Sequence, residues 1–393
     1  MRAILIITFL SISVGSFAQT DSVGLQKSSL WSNLSLQGMY QSGNVFGTNK
    51  FLRGNNAESD RIDTYQAYSL KLSRQTTGTN LWEQLYKYPT WGVGIYAANF
   101  DNSKEVGIPV AVYGFLNAPF KRWHKWTLNY ELGLGAAFNW NSFNPITNQY
   151  NLSIGAKRSF FIDAGVQLHY NLTNNWDLIS GFSLSHFSNG ALKKPNKGIN
   201  TIAPAISLKY NFYDRPVFKK QAVPKYNDEN EWLISVFGGA KNVVFDSVDV
   251  DVREKYEGIN FATFGISTAY NRQIGYKSKI GVGMTVSYNG SVNAQVAVEN
   301  NELDANDRPL GDKLQLSIHP SYELVINRIS IILQPAFYLY RKKLKNQSSF
   351  FHQRIGLKYH ITDSFFAGLT LRSYDFRVSD FIEWNVGYRI KWR

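Results

Sequence analysis

From about residue 30 the chain repeats one pattern: some ten residues alternating apolar and polar, then a turn or loop rich in Asn, Gly, Lys and Asp. Side chains two apart on a strand share a face, so the alternation predicts strands with one apolar face and the turn spacing predicts antiparallel pairing. Trp126, Leu128, Tyr130, Leu132 and Leu134 alternate with Thr127, Asn129, Glu131, Gly133 and Gly135. Phe160, Ile162, Ala164, Val166, Leu168 and Tyr170 stand against Asp163, Gly165, Gln167 and His169. In the last strand Ile382, Trp384, Val386, Tyr388 and Ile390 stand against Glu383, Asn385, Gly387, Arg389 and Lys391.

A soluble sandwich would alternate as well, and the connections separate the two cases. Segments 43–62, 139–152, 189–199, 242–257 and 291–312 are long and fall on one side, while the opposite turns, such as 172–175 and 326–328, are short. Long outer loops over short periplasmic turns mark an outer-membrane barrel, which must close because an open edge in lipid leaves backbone groups unpaired. The expected fold class is all-β, a transmembrane antiparallel β-barrel of about sixteen strands. A polar stretch, 213–230, divides the chain into halves of about eight strands. Two architectures follow: one barrel of about sixteen strands, or two eight-stranded barrels in tandem. Small inward residues such as Gly133, Gly135 and Ala137 suit a narrow lumen. Charged inward residues such as Glu383, Arg389 and Lys391 call for water and favour the single large barrel.

The expected organisation is a signal peptide over 1–18, a first barrel half over 19–212, a periplasmic linker over 213–230 and a second half over 231–393. The signal peptide is read from Met1-Arg2, an apolar run from Ala3 to Val14 and small residues before Gln19. There is no cysteine, which excludes disulfides, thiol chemistry and a lipid-modified N-terminal cysteine. The net charge of +13 would suit nucleic acid, but an exported chain meets lipopolysaccharide phosphates first, so no nucleic-acid partner is expected. Aromatic residues make up 15% of the chain, with 23 Tyr and 10 Trp, as suits rings at membrane interfaces.

Chemistry concentrates in His186-Phe187-Ser188-Asn189-Gly190. His186 and Ser188 continue the apolar face of Trp176, Leu178, Phe182 and Leu184, so an imidazole and a hydroxyl point toward lipid at the outer end of a strand. Asn200 shares that face on the partner strand. A serine becomes a nucleophile when a nearby base takes its proton, which assigns Ser188 and His186 those roles, with Asn200 as the third group. Oxyanion donors are available from the Asn189 and Asn196 amides and from backbone N–H groups around Gly190 and Ala191. Lys193, Lys194 and Lys197 stand in the same loop, suited to phosphate contacts or to a solvated surface. Asp246, Asp249, Asp251 and Glu254 lack the glycine and spacing of a calcium loop, and no metal is expected. The second half carries Ser373, Tyr374 and Asp375 where the first has His186, Phe187 and Ser188, so the chemistry belongs to the first half.

This motif, followed by Leu192, Pro195-Asn196 and Gly198-Ile199, resembles that of the outer-membrane lipid A 3-O-deacylases, the PagL-like family. Tyr88-Pro89 with Gly92 and Gly94, and Gly107, Pro109 and Tyr113-Gly114-Phe115, resemble longer, acyloxyacyl hydrolase-type members with an extra C-terminal half. The resemblance implies a hydrolase in the outer membrane of a Gram-negative bacterium, acting on lipid A or lipopolysaccharide without a cofactor, with Ser188 as nucleophile and His186 as base. The family places a glutamate where this chain has Asn200. An amide can fix the imidazole tautomer but brings no charge to the imidazolium, so lower activity, or a different third residue, is expected. The function expected is a serine esterase that removes an ester-linked acyl chain from lipid A. The rival is a non-enzymatic outer-membrane barrel, a channel or a structural protein.

Overall fold

The computed structural model describes residues 33–243, 255–256, 258–344, 349–376 and 378–393. The signal segment 1–18 and the acidic residues Asp246, Asp249, Asp251 and Glu254 lie outside the described residues. Sixteen antiparallel strands form two closed barrels among the described residues. The first comprises β1 (Leu34–Val45), β2 (Thr64–Gln75), β3 (Thr90–Asn99), β4 (Gly107–Arg122), β5 (Trp126–Trp140), β6 (Ser159–Asn171), β7 (Trp176–Ser188) and β8 (Ile199–Asn211), and β8 pairs back onto β1. The second comprises β9 (Glu229–Asn242), β10 (Asn260–Gly275), β11 (Ser278–Asn289), β12 (Leu314–Ile326), β13 (Ile329–Tyr340), β14 (Phe351–His360), β15 (Phe365–Tyr374) and β16 (Val378–Trp392), with β16 pairing onto β9. Asn327, at the tip of the tight β12–β13 turn, takes a left-handed φ of 57°, a conformation Asn tolerates better than most residues.

The tandem arrangement replaces the single sixteen-stranded barrel that the inward charges favoured. Those charges find one another rather than water. Glu383 has no exposed surface and accepts from Arg354 Nε at 2.9 Å and Arg372 Nε at 2.8 Å. Arg389 donates to the Asp363 carbonyl at 2.8 Å and lies 3.6 Å from Glu231. Lys391 stays exposed at the barrel end, 3.5 Å from Glu229. Truncating one member of a buried charge cluster strands the others, at a typical cost of about 3–5 kcal/mol. Glu383→Gln is therefore expected to lower the stability of the second barrel by about 3 kcal/mol, read as an earlier urea midpoint for the folded, heat-modifiable form.

Side chains also fill the first barrel. Its middle holds the buried Lys71–Glu131 ion pair, with Asn117 Nδ2 donating to Glu131 at 3.1 Å and to Gln167 at 2.8 Å. Ser183 and Ser185 both donate to Asp163. Above them Tyr65, Tyr96, Phe100, Trp140, Phe161 and Phe187 form a buried aromatic cluster continuous with Phe51, Leu52 and Ile154 of the outer loops. Outward positions such as Val93, Ile95, Val166, Phe182 and Ile206 are exposed, the apolar band that lipid requires.

Candidate active site at the β7–β8 hairpin

Phe187 explains why its two neighbours face outward. Its ring is fully buried in the lumen cluster, 5.1 Å from Phe161 and 5.2 Å from Trp140 between ring centres. Alternation then sends His186 and Ser188 to the opposite face. His186 sits directly across the ladder from Asn200, and its Nδ1 lies 2.6 Å from Asn200 Oδ1. A carbonyl oxygen only accepts, so Nδ1 carries the proton and Nε2 is left as the basic nitrogen.

Ser188 ends β7, and the chain reverses through Gly190 (φ +62°) and Ala191 (φ +63°). A left-handed alanine is strained, and such strain gathers at functional sites. The turn aims the Gly190 N–H back at Ser188 Oγ, at 3.4 Å. Among the described residues no hydrogen bond joins His186 to Ser188. Both nevertheless flank one point: a Cβ built on Gly198 would lie 3.1 Å from His186 Cε1 and 3.5 Å from Ser188 Cβ. Catalytic hydrogen bonds in ligand-free sites are commonly long and tighten on binding.

The two side-chain amides expected near the oxyanion behave differently. Asn189 Nδ2 donates to the Lys193 carbonyl at 2.7 Å, bracing the loop from within. Asn196 Oδ1 accepts the Asn189 N–H at 2.9 Å, while Asn196 Nδ2 is buried with no partner among the described residues. Asn196 thus keeps a free donor beside the serine turn. Lys193 and Lys197 are exposed and Lys194 is half-buried, all in the same outer loop. That loop is pinned to its neighbour: the Lys197 and Gly198 N–H groups donate to the Leu152 and Ser153 carbonyls at 3.1 and 3.0 Å, and Ser153 Oγ accepts from Asn49 at 2.9 Å. No spacing in the sequence signals these long-range anchors.

Residues 66–209 match the family model described as lipid A 3-O-deacylase (PagL), and residues 230–392 match acyloxyacyl hydrolase, C-terminal domain. The chain belongs to this lipid A 3-O-deacylase family. No curated protein matches it. The crystal structure of the outer membrane enzyme PagL is similar over 44% of this chain and 97% of its own, at 18% identity and a TM-score of 0.29. Neisserial surface protein A is similar over 46% of this chain and 98% of its own, at 11% identity and a TM-score of 0.29. A porin of Rhodopseudomonas blastica is similar over 91% of this chain and 99% of its own, at 10% identity and a TM-score of 0.19. Family membership and the two barrels with apolar outer faces point to a hydrolase acting on lipid A in a Gram-negative outer membrane.

For a member of this family, Gly198 is an informative position. Its φ of +67° disfavours a side chain, and a Cβ there would press on the His186 ring. Gly198→Ala is expected to displace His186 and to lower acyl release by about tenfold to a hundredfold, with the barrel still folded, as read from initial rates of fatty-acid release.

Proposed function

We propose that the chain is an outer-membrane serine esterase that removes one ester-linked acyl chain from lipid A. The observation that carries this reading is the 2.6 Å contact between His186 Nδ1 and Asn200 Oδ1 on the lipid-facing side of the β7–β8 hairpin, beside Ser188. It leaves Nε2 unprotonated, as a general base requires.

In the proposed reaction Ser188 Oγ attacks the ester carbonyl carbon while His186 Nε2 takes the hydroxyl proton. The tetrahedral oxyanion is stabilised by the Gly190 N–H and the free Asn196 Nδ2–H, with Ala191 N–H as a further candidate donor. Collapse breaks the bond to the sugar oxygen, which leaves with the proton from His186. Water, deprotonated by the same imidazole, then cleaves the acyl–Ser188 ester and frees the fatty acid. Lys193, Lys194 and Lys197 are read as contacts for the lipid A phosphates, as compact positive charges above the ester. Side chains and buried ion pairs occupy both lumens, which speaks against the channel reading.

The test is incubation of the folded protein in detergent with lipid A and, separately, with phosphatidylethanolamine, reading free fatty acid. Release from lipid A alone is expected. Release from phosphatidylethanolamine alone would move the substrate to phospholipid, and release from neither would reject the esterase.

A further inference from the structure

Along the outward face of β16, Trp384 is 64% and Val386 56% exposed, yet Ile382 is only 6% exposed. The first barrel covers it. A Cβ built on Gly190 would lie 2.5 Å from Ile382 Cδ1 and 3.7 Å from Leu371 Cδ1. The bare backbone just past Ser188 therefore rests on an aliphatic pair matched directly across β15 and β16. Ser188 shares this shelter at 6% exposure, whereas Leu184 and Phe182, lower on the same face of β7, are open.

A second contact ties the barrels on the periplasmic side. Tyr86, at the end of the short helix Leu81–Leu85, donates its hydroxyl to the Val325 carbonyl at 2.7 Å, and the Lys277 ammonium lies 4.4 Å from its ring centre. Burial pushes the Tyr86 phenol up, which keeps the donor protonated. Barrel strands tilt by roughly 35–45°, so the outer end of β7 and the periplasmic start of β3 come round to one side. The barrels abut along that side, and Ser188 opens at the outer end of the seam between them.

Below the Gly190 contact the walls part. Ile162, Leu184 and Phe182 are exposed on the first barrel, and Trp384 and Val386 on the second. An ester presented to Ser188 has a polar sugar on one side and a hydrocarbon chain on the other. The lysine loop stands on the outer side, which leaves the apolar seam for the hydrocarbon. Resting on the esterase reading above, we propose that the acyl chain to be released lies in this seam, with Ile382, Leu371 and Trp384 of the second barrel as its far wall. Lipid tails are as apolar as that wall, so burial supplies no net driving force there. The wall acts by shape: it decides which chain lengths bring their ester to Ser188. The second barrel is thus half of the binding site rather than a passive anchor.

The test uses the full-length protein and a mixture of lipid A species that differ in ester-linked chain length, reading the ratio of fatty acids released. Ile382→Ala is expected to shift that ratio severalfold toward longer chains and Ile382→Trp toward shorter ones, while Ile318→Ala, exposed elsewhere on the second barrel, leaves it unchanged. If Ile382 merely props the Gly190 turn, every chain slows equally, the ratio holds and the proposal is overturned. A readout without turnover accompanies it: Ser188→Ala protein photolabelled with lipid A carrying a diazirine near the carbonyl of one ester-linked chain. Labels concentrated on Ile382, Leu371 and Trp384 support the seam, and labels spread evenly round both apolar bands overturn it. Concentrated labels from a protein whose wild type releases no fatty acid would reject the esterase while keeping the seam as a lipid A site.

Discussion

Ser188→Ala is expected to lower acyl release from lipid A by about 1,000-fold or more and to leave both barrels folded. The hydroxyl is the proposed site of covalent bond formation, and Ser183 and Ser185 of the same strand are turned into the lumen, where they donate to Asp163. The contribution of the Ser188 hydroxyl to stability is small, because among the described residues Oγ receives only the long contact from the Gly190 N–H at 3.4 Å, and one such bond is worth about 1 kcal/mol or less. His186→Ala is expected to fall to a similar level, and the double variant no further, since nucleophile and base act as one unit. Initial rates of fatty-acid release, with heat-modifiable mobility as the folding control, decide it. A Ser188→Ala protein working at the native rate would remove Ser188 from the mechanism.

The second large effect lies at Asn200. Asn200→Leu keeps the side-chain size but removes the acceptor 2.6 Å from His186 Nδ1, leaving the tautomer and ring orientation unfixed. A fall of about 100-fold or more is expected. Asn200→Glu is expected to act in the opposite sense, by about tenfold, because a carboxylate keeps the acceptor and adds a charge that stabilises the imidazolium formed when Ser188 is deprotonated. Rates measured with the same lipid A for the three proteins check both directions. Equal rates for Asn200→Leu and wild type would show that the hydrogen bond does not orient the base.

The strands and their faces were legible because alternation is local. The pattern around Trp176 and Phe182 gives the outward side of β7, and with the hairpin it sets His186 opposite Asn200, as found. Closure was not legible, because whether β8 pairs with β1 or with β9 is a choice between strands far apart in sequence. The inward charges misled for the same reason. Glu383 looks as though it needs water until Arg354, on another strand, is seen to grip it. Within the loop the sequence offered Asn189 and Asn196 alike, and only the fold commits Asn189 to the Lys193 carbonyl while leaving Asn196 Nδ2 free. The contact of Gly190 with Ile382 joins residues in different barrels, and nothing local to either one announces it.

The most direct measurement is the mass spectrum of lipid A extracted from outer membranes that contain either the wild-type protein or Ser188→Ala. The expected result is lipid A lacking one ester-linked acyl chain in the wild-type membranes and intact lipid A with the variant. Intact lipid A in both, with each protein folded, or the same loss in both, would contradict deacylation by Ser188.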